Sequence, residues 1–302
     1  MLHNNAELFE QLILQVSADT GIEASIIEKD YYVTLFLRRI VERMPDIIFK
    51  GGTSLSKCYK LINRFSEDID LNIDTASHPT QGQRRQLKEN IAAIIAEFGF
   101  TFTNPDDVRS RRDYNRYVID YPSIFPTGYL KEHLIVETAV YIKAYPCRRM
   151  KASSLICDYL DRNGYTDLVE QYDLQPFELN VQTAERTLID KVYALGDYYL
   201  SGAIQAHSRH VYDIYKLLGI VTPDDALKQL IKEVREERKP HVNCRSAKDG
   251  IDMTALLQEL VEKEVYKQDY EDITMKLLFE NTPYETAIAA LRTIIASGIF
   301  SD

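Results

Sequence analysis

The residue types best suited to chemistry lie in one segment that begins at Phe49, FKGGTSLSKCYKLINRFSEDIDLNID. The glycine pair Gly51-Gly52 follows an apolar strand-like run, and Asp68 and Asp70 stand one residue apart further along. Side chains of a strand alternate between its two faces, so the two aspartates project from the same face. Aligned carboxylates facing a glycine-opened helix N-terminus suit a divalent metal and phosphate groups. The segment therefore predicts a nucleotide-transferring enzyme.

The glycine turn supplies the predicted phosphate contacts. Backbone N–H groups of Gly51 and Gly52 can approach a phosphate closely because glycine has no Cβ, and Thr53 and Ser54 add hydroxyls. The alternative is an ordinary strand-to-helix turn with a hydroxyl residue as N-cap. The aspartates downstream favour the phosphate interpretation. The spacing excludes a Walker A loop, because no G-x-x-x-x-G-K-[ST] is present.

A pair of Mg²⁺ ions about 3.5–4 Å apart can support nucleotidyl transfer, and such a pair needs bridging carboxylates. Asp68 and Asp70 are the first two predicted metal ligands. Glu137 is the third, because it interrupts the apolar run HLIVETAV. An unpaired charge buried there would cost several kcal/mol, so Glu137 must meet a metal, a cation or water. A salt bridge or an edge-strand position is the alternative.

Several other polar residues are weaker candidates for the nucleotide site. Arg64 and Ser66 flank the acidic strand and can shape it. Lys57 follows the glycine turn, where it either reaches phosphate or is a solvated helix residue. Lys191 lies in an apolar helical stretch, from which it either snorkels to solvent or projects toward a triphosphate. Asp213 stands four residues after Arg209, the spacing of a helix salt bridge.

Composition indicates a soluble globular protein. The 302 residues suit one large or two modest domains, and the hydrophobic and charged fractions, 45% and 27%, are ordinary. No apolar run is long enough for a membrane span, and the N-terminus does not resemble a secretory signal. The four cysteines are scattered without a CxxC pair, which argues against a zinc site or a disulfide framework. We therefore expect a cytoplasmic protein.

The charge pattern limits nucleic-acid contact to local surfaces. A net charge of −10 is unusual for a general nucleic-acid binder. Two basic clusters nevertheless lie near the predicted β region and could guide an RNA backbone. They comprise Arg109, Arg111, Arg112 and Arg116, and Lys143, Arg148, Arg149 and Lys151.

Periodicity predicts an α/β domain over residues 1–150 and a mainly helical domain over 151–302 that completes the active-site cleft. Helices are expected over 5–17, 24–43 and 84–98, strands at 47–49, 116–121 and 133–142, and a hairpin loop at YPSIFPTG. In the second half, helices are expected over 153–163, 183–200, 207–218, 223–237, 251–265 and 284–297. The predicted class is α+β.

Two motifs in order resemble a known family. GGTSL at 51–55 followed by RFSEDIDL at 64–71 is similar to the first motif of the AbiEii/AbiGii toxin-type nucleotidyltransferases, which belong to the polymerase-beta-like superfamily. Lys191 resembles the helix lysine of that family, and YDIY at 212–215 resembles its YDLY-like helix. The pair Arg209-His210 departs from the Arg-Asp of many relatives. The resemblance spans roughly residues 25–220.

The resemblance implies a polymerase-beta-like nucleotidyltransferase domain, with a mixed sheet and flanking helices, followed by a helical domain. It implies that Asp68 and Asp70 bind metal and that Lys191 and Asp213 line the nucleotide cleft. Mg²⁺ or Mn²⁺ would be the cofactor and an NTP the substrate. Relatives are toxins of toxin–antitoxin or abortive-infection systems; some modify the acceptor end of tRNA, and their antitoxin is typically a winged-helix protein.

Three hypotheses compete at this point. The first is transfer of an NMP to an RNA hydroxyl, plausibly at the 3′ end of tRNA. The second keeps the chemistry but uses a protein or small-molecule hydroxyl, which the acidic net charge makes worth testing. The third is a non-catalytic module that binds only a nucleotide or an antitoxin. The intact glycine pair and both aspartates weigh against the third.

Overall fold

The computed structural model describes residues 1–66, 68–74, 78–126 and 133–301. The chain forms two compact units, the first comprising Met1–Tyr59 and Ser66–Gln182 and the second comprising Lys60–Phe65 and Thr183–Asp302. Glu67, predicted on the acidic strand, and the last two residues of the predicted hairpin loop lie outside the described residues. The short segment Lys60–Phe65 therefore belongs with the C-terminal half of the chain, although it precedes the acidic strand directly.

A seven-stranded mixed sheet forms the centre of the first unit. Its strands are β1 (Ile47–Lys50), β2 (Asp68–Ile73), β3 (Thr101–Phe102), β4 (Tyr114–Asp120), β5 (His133–Ala139), β6 (Cys147–Ala152) and β7 (Phe177–Gln182). The order across the sheet is β3-β4-β5-β2-β1-β7-β6. The β1–β7 and β2–β5 pairs are parallel, and the other four pairs are antiparallel. The two acidic strands β2 and β5 are therefore direct neighbours.

The two faces of the central strands differ in polarity. Ile69 and Leu71 of β2, Phe49 of β1 and Val136 of β5 are buried in one apolar core. Because side chains alternate along a strand, the residues between them project from the opposite face. Asp68, Asp70 and Glu137 fall on that second face, so the alternation predicted for β2 is confirmed.

Helices cover the apolar face of the sheet. The helices of the first unit are α1 (Ala6–Thr20), α2 (Ala24–Arg43), α3 (Gly51–Lys57), α4 (Gln81–Glu97), α5 (Leu155–Arg162) and α6 (Thr166–Gln171), and all of them except α3 contribute side chains to the apolar core. Phe36 of α2 and Ile91 of α4 are fully buried in the same core as the strand residues. Thr80 begins α4 with a capping box, in which its side chain and that of Gln83 accept reciprocal backbone N–H bonds. The predicted helices at 5–17, 24–43 and 84–98 are confirmed.

The second unit is helical. It contains α7 (Ala184–Ser201), α8 (Arg209–Leu217), α9 (Asp225–Arg238), α10 (Met253–Glu262), α11 (Lys267–Asp269), a π-helical turn (Tyr270–Thr274), α12 (Met275–Leu277) and α13 (Tyr284–Ser297). Short 3₁₀ turns occur at Leu2–Asn4 in the first unit and at Arg245–Ala247 in the second. Throughout the described residues, every helix is too short or too polar to cross a lipid bilayer.

The first unit extends beyond the predicted boundary at residue 150. Strands β6 and β7 pair along their full lengths, and β7 also pairs with β1, so the sheet continues to Gln182. The sequence FELNVQ of β7 is short and surrounded by helical segments. Its place in the sheet depends on partners distant in the chain, which local periodicity does not reveal.

A close contact at Gly196 joins α7 to the rest of the second unit. A Cβ at this position would lie 2.8 Å from Ser246 Cβ and 3.0 Å from Leu256 Cδ2. Ser246 in turn bonds both the carbonyl of Tyr193 and the carboxylate of Asp197 on α7. Glycine at 196 therefore sets the distance between α7 and the turn that carries Ser246.

Substituting Gly196→Ala should lower the free energy of unfolding by about 1–3 kcal/mol, the usual cost of overpacking, despite the better helix propensity of alanine. Urea denaturation measures the difference. Gly82→Ala is the matched control, because Gly82 is also helical but a Cβ there would meet only Thr80 Oγ1 at 3.8 Å. Equal stabilities of the two variants would contradict the packing explanation.

Candidate active site

The predicted carboxylates lie in one row across the sheet. Asp70 is paired with Lys50 of β1 on one side and with Glu137 of β5 on the other. Glu137 is paired in turn with Arg116 of β4. Residues directly opposite each other on neighbouring strands project from the same face. Asp68, two residues before Asp70, shares that face, so the structure places all three predicted metal ligands on adjacent strands.

The glycine turn lies directly against Asp70. Gly51 has a φ of +75°, and a Cβ built on it would lie 1.9 Å from Asp70 Oδ2. The first residue of α3 is therefore glycine for two reasons, the left-handed backbone and the closeness of a carboxylate. The contact brings the glycine turn and the acidic strand together, as the sequence predicts.

The hydroxyls of the turn bond within the first unit. Thr53 and Ser54 are fully buried. Thr53 Oγ1 donates to the carbonyl of Asp68 at 2.5 Å and lies 2.9 Å from Ser66 Oγ, while Ser54 Oγ donates to the carbonyl of Gly51. These hydroxyls hold the start of β2 against α3. Their predicted contact with phosphate gains no support, which leaves that role to the backbone of Gly51 and Gly52.

Glu137 has two polar neighbours on β4. Arg116 Nε lies 3.7 Å from Glu137 Oε1 in a partly exposed ion pair. Tyr114 also interacts with Glu137: burial, the charge of Glu137 and a hydrogen bond to it raise the pKa of the phenol, and the charge of Asp70 adds to the rise. The salt bridge that the sequence offered as an alternative for Glu137 is therefore present, with Arg116 as the partner, and Glu137 also lies opposite Asp70 on the neighbouring strand.

The donor set of this row suits a divalent metal. Carboxylate oxygens are the ligands preferred by Mg²⁺ and Mn²⁺, and the missing Cβ of Gly51 leaves room for the Asp70 carboxylate against the turn. Within the described ranges, no three Asp, Glu, His or Cys side chains converge tightly enough to coordinate an ion as they stand. The residue types and the strand register are compatible with a divalent-metal site.

Three further predicted site residues, Arg64, Lys191 and Asp213, form a buried ionic cluster in the second unit. Arg64 binds Asp213 through two parallel bonds, Nε to Oδ1 at 2.7 Å and Nη2 to Oδ2 at 2.8 Å. Lys191 Nζ donates to the same Oδ2 at 2.5 Å. Burial would raise the pKa of Asp213, but the two cations outweigh it and hold that pKa well below its usual range. Burial lowers the pKa of Lys191, against the opposing effect of Asp213.

Two comparisons with known proteins bear on this arrangement. A family model described as the nucleotidyl transferase AbiEii toxin of type IV toxin–antitoxin systems matches residues 35–294. The chain belongs to the AbiEii nucleotidyltransferase toxin family. It is therefore a nucleotidyltransferase, and the family resemblance read from the two motifs is confirmed.

A solved structure agrees in fold with this AbiEii family member. MenT4, a nucleotidyltransferase toxin from Mycobacterium tuberculosis H37Rv, superposes with a TM-score of 0.55 and 17% sequence identity over 96% of this chain and 89% of that one. The α+β class with a mixed sheet is confirmed. No curated protein has a significant sequence match.

Lys57 has a structural role in this AbiEii protein. It is buried, and its Nζ bonds Asp30 Oδ1 and Thr34 Oγ1 of α2, each at 2.5 Å. Neither alternative considered from the sequence, phosphate binding or a solvated helix surface, describes it. The ammonium ties α3 to α2 and so supports the glycine turn from behind.

The position that departs from the AbiEii pattern is half-buried beside the ionic cluster. Burial, with Lys191 and Arg209 nearby, lowers the pKa of His210 well below its usual value. The imidazole is therefore neutral at pH 7. Its ring is parallel to those of Tyr198 and His207, with centroids 5.9 and 6.1 Å away. This neutral histidine therefore adds no charge to the cluster.

Sequence reasoning missed two residues of the carboxylate row. Lys50 is the last residue of β1 and is paired with Asp70. Arg116 was noticed only as part of a basic cluster, not as the partner of Glu137. The position of Lys50 immediately before the glycine pair was an available signal. The partner of Arg116 was not readable, because it depends on the register between β4 and β5.

Substituting Gly51→Ala should destabilise the protein by at least about 1 kcal/mol more than Gly202→Ala. Both glycines have a φ of +75°, but only Gly51 faces a carboxylate, since nothing lies within 4 Å of a Cβ at Gly202. Both variants carry the strain of a left-handed alanine, and the first adds overpacking against Asp70. Urea denaturation of the two variants measures the difference. Equal losses of unfolding free energy in the two variants would contradict this explanation, because the Asp70 side chain would then move aside without destabilising the protein.

Substituting Asp213→Asn should cost about 3–5 kcal/mol at pH 7, because two buried cations lose their counter-ion. The folded pKa of Asp213 is depressed, so its stabilising contribution is present above the unfolded pKa of about 3.9 and is lost as pH falls toward the folded value. The gap between wild type and variant should therefore narrow below about pH 4.

Unfolding by urea at pH 7, 5 and 3 measures this gap. Asp120→Asn is the matched control, since Asp120 pairs with His133 on the protein surface, where such pairs contribute little. A gap that stays constant down to pH 3 would contradict an ionised Asp213 in the folded protein.

Proposed function

We propose that this nucleotidyltransferase moves an NMP from an NTP to an RNA hydroxyl at the 3′ end of tRNA and acts as the toxin of a toxin–antitoxin or abortive-infection system. The observation that carries the proposal is the row of Asp70 and Glu137 beside the Gly51 turn. Carboxylates and a glycine turn at this spacing are the parts that nucleotidyl transfer needs, because the protein supplies mainly positioning and charge.

In this proposal, Asp68, Asp70 and Glu137 hold Mg²⁺ or Mn²⁺. When bound, the metal lowers the pKa of the attacking hydroxyl and neutralises charge on the leaving pyrophosphate. The acceptor hydroxyl attacks the α-phosphate in line, its proton passes to the Glu137 carboxylate, and the bond between the α-phosphate and the leaving pyrophosphate breaks. Backbone N–H groups of Gly51 and Gly52 contact the phosphates.

The cationic residues have separate tasks. Lys191 neutralises charge on the triphosphate. Asp213 is a positioning residue, because its carboxylate holds the Lys191 ammonium at 2.5 Å and is itself held by Arg64 through two bonds. A side chain fixed in this way loses little rotamer freedom when a phosphate binds.

An RNA acceptor is supported by exposed basic residues of the first unit. On the edge strand β6, Arg148, Arg149 and Lys151 are exposed, and the Arg148 guanidinium lies 4.8 Å from the centroid of the Tyr59 ring. The basic cluster of Arg109, Arg111, Arg112 and Arg116 is exposed as well. Exposed arginines are the groups that bind an RNA backbone. Binding should weaken with added salt in proportion to the phosphates contacted.

The partner and the compartment stay predictions. Membership of a type IV toxin–antitoxin family implies an antitoxin, and we expect a winged-helix protein encoded beside this chain. We also expect the protein to act in the cytoplasm, where NTPs and tRNA occur together. A neighbouring reading frame with a winged-helix sequence would support the toxin assignment.

Incubating the protein with each α-labelled NTP, Mg²⁺ and total RNA should transfer label to RNA. Asp68→Asn and Asp70→Asn should each reduce the rate by roughly a thousandfold or more, since a metal supplies several kcal/mol of transition-state stabilisation. Asp120→Asn, the same change on the exposed Asp120–His133 pair, should leave the rate unchanged.

The acceptor is identified by treating the labelled product with RNase. Label that becomes acid-soluble indicates RNA, whereas label that resists RNase indicates a protein or small-molecule acceptor. Full activity in Asp68→Asn would contradict the metal assignment. Absence of both transfer and metal-dependent NTP binding would indicate the non-catalytic module.

A further inference from the structure

Arg116 stands beside the catalytic carboxylates without being needed for the fold around it. It is paired with Glu137 across β4 and β5, and these strands are already joined by a continuous register from Tyr114–Ala139 to Asp120–His133. The ion pair is 3.7 Å long, and its side chains are 45% and 28% exposed. A pair this long and this accessible to water contributes little to stability.

Glu137 stands in a row of charged side chains. Asp68, Asp70 and Glu137 are three negative groups on one face, and Arg116 and Lys50 are the cations at the two ends of the row. The phenol of Tyr114 also bonds Glu137 and is neutral at pH 7. In this state Arg116 is the closest counter-ion of Glu137 among the residues that the structure describes.

We infer that Arg116 is a phosphate-binding residue that pairs with Glu137 at rest and is released to substrate phosphate when Glu137 takes up a metal ion. The inference rests on the proposed function of the same site. It adds to that function in two ways. Glu137 has Arg116 and the metal ion as alternative partners, and Arg116 becomes a further residue that binds the substrate.

Electrostatics favour the exchange of Glu137 from Arg116 to a metal ion. A divalent cation on Glu137 neutralises the carboxylate and repels the guanidinium, so the two cations compete for one oxygen set. Arg116 is half exposed and on a flexible stem, so it can turn away without disturbing β4. Its planar fork matches a phosphate through two bonds, which an ammonium does not. The phosphate belongs either to the NTP or to the RNA acceptor.

The first measurement is Mn²⁺ binding in the absence of nucleotide, followed by electron paramagnetic resonance. Arg116→Gln should bind Mn²⁺ about two- to fivefold more tightly than wild type, because a weak competing ion pair is removed. Arg116→Lys keeps the charge and should bind Mn²⁺ nearly as wild type does. Arg85→Gln is the matched control, since Arg85 forms a solvated pair with Glu89 on α4.

The second measurement locates the phosphate. Affinities of the Mn²⁺-loaded protein are measured for non-hydrolysable analogues of the four NTPs and, separately, for total tRNA by filter binding. Arg116→Gln should weaken either the affinity for an NTP analogue or the affinity for tRNA by about tenfold or more, as expected for a lost charged hydrogen bond. Arg116→Lys should recover this affinity only in part, because it lacks the fork.

The outcomes separate this inference from the proposed function. If wild type binds Mn²⁺ and analogue but Arg116→Gln matches it in every measurement, Arg116 is a surface residue and the inference fails alone. Weaker Mn²⁺ binding by Arg116→Gln would also overturn it, since Arg116 would then hold Glu137 in place for the metal. If wild type binds neither Mn²⁺ nor any analogue, the proposed function itself fails.

Discussion

The contact between Gly51 and Asp70 is the constraint on which the first unit's site depends. A carboxylate and a backbone turn can lie this close only where the turn has no Cβ and accepts a left-handed φ. This contact fixes the position of β2 relative to the start of α3. Thr53 and Ser54 add to it by using their hydroxyls within the turn and strand, and Lys57 ties the same helix to α2. Much of the motif is therefore structural support for two aspartates.

The protein treats its two groups of charges differently. In the second unit, Asp213 is buried with Arg64 and Lys191. Its ion pairs with them are 2.7 and 2.5 Å long. Such a cluster is costly to break and well suited to fixing side-chain positions. In the first unit, Asp68, Asp70 and Glu137 are only partly buried, and Arg116 and Lys50 lie at the two ends of their row. Holding these like charges close together costs little free energy, because the side chains are partly solvated.

Membership of the AbiEii family and the likeness to MenT4 establish the reaction type and the fold. They do not identify the acceptor of the nucleotide. The proposal of an RNA acceptor rests on the exposed arginines at 109–116 and on β6. His210 lies beside the Arg64–Asp213–Lys191 cluster as a neutral imidazole, so it adds no charge to that cluster.

The sequence by itself determined the local features: most helices, the alternation of Asp68 and Asp70 on β2, the glycine turn and the family. These follow from periodicity, caps and short motifs, which act over a few residues. Only the tertiary structure decided that β7 joins the sheet, that Arg64 pairs with Asp213, that Thr53, Ser54 and Lys57 are internal supports, and that Arg116 lies against Glu137. Each of these depends on strand register or packing between distant segments, and the free energy that selects them comes from contacts that exist only once the chain has folded.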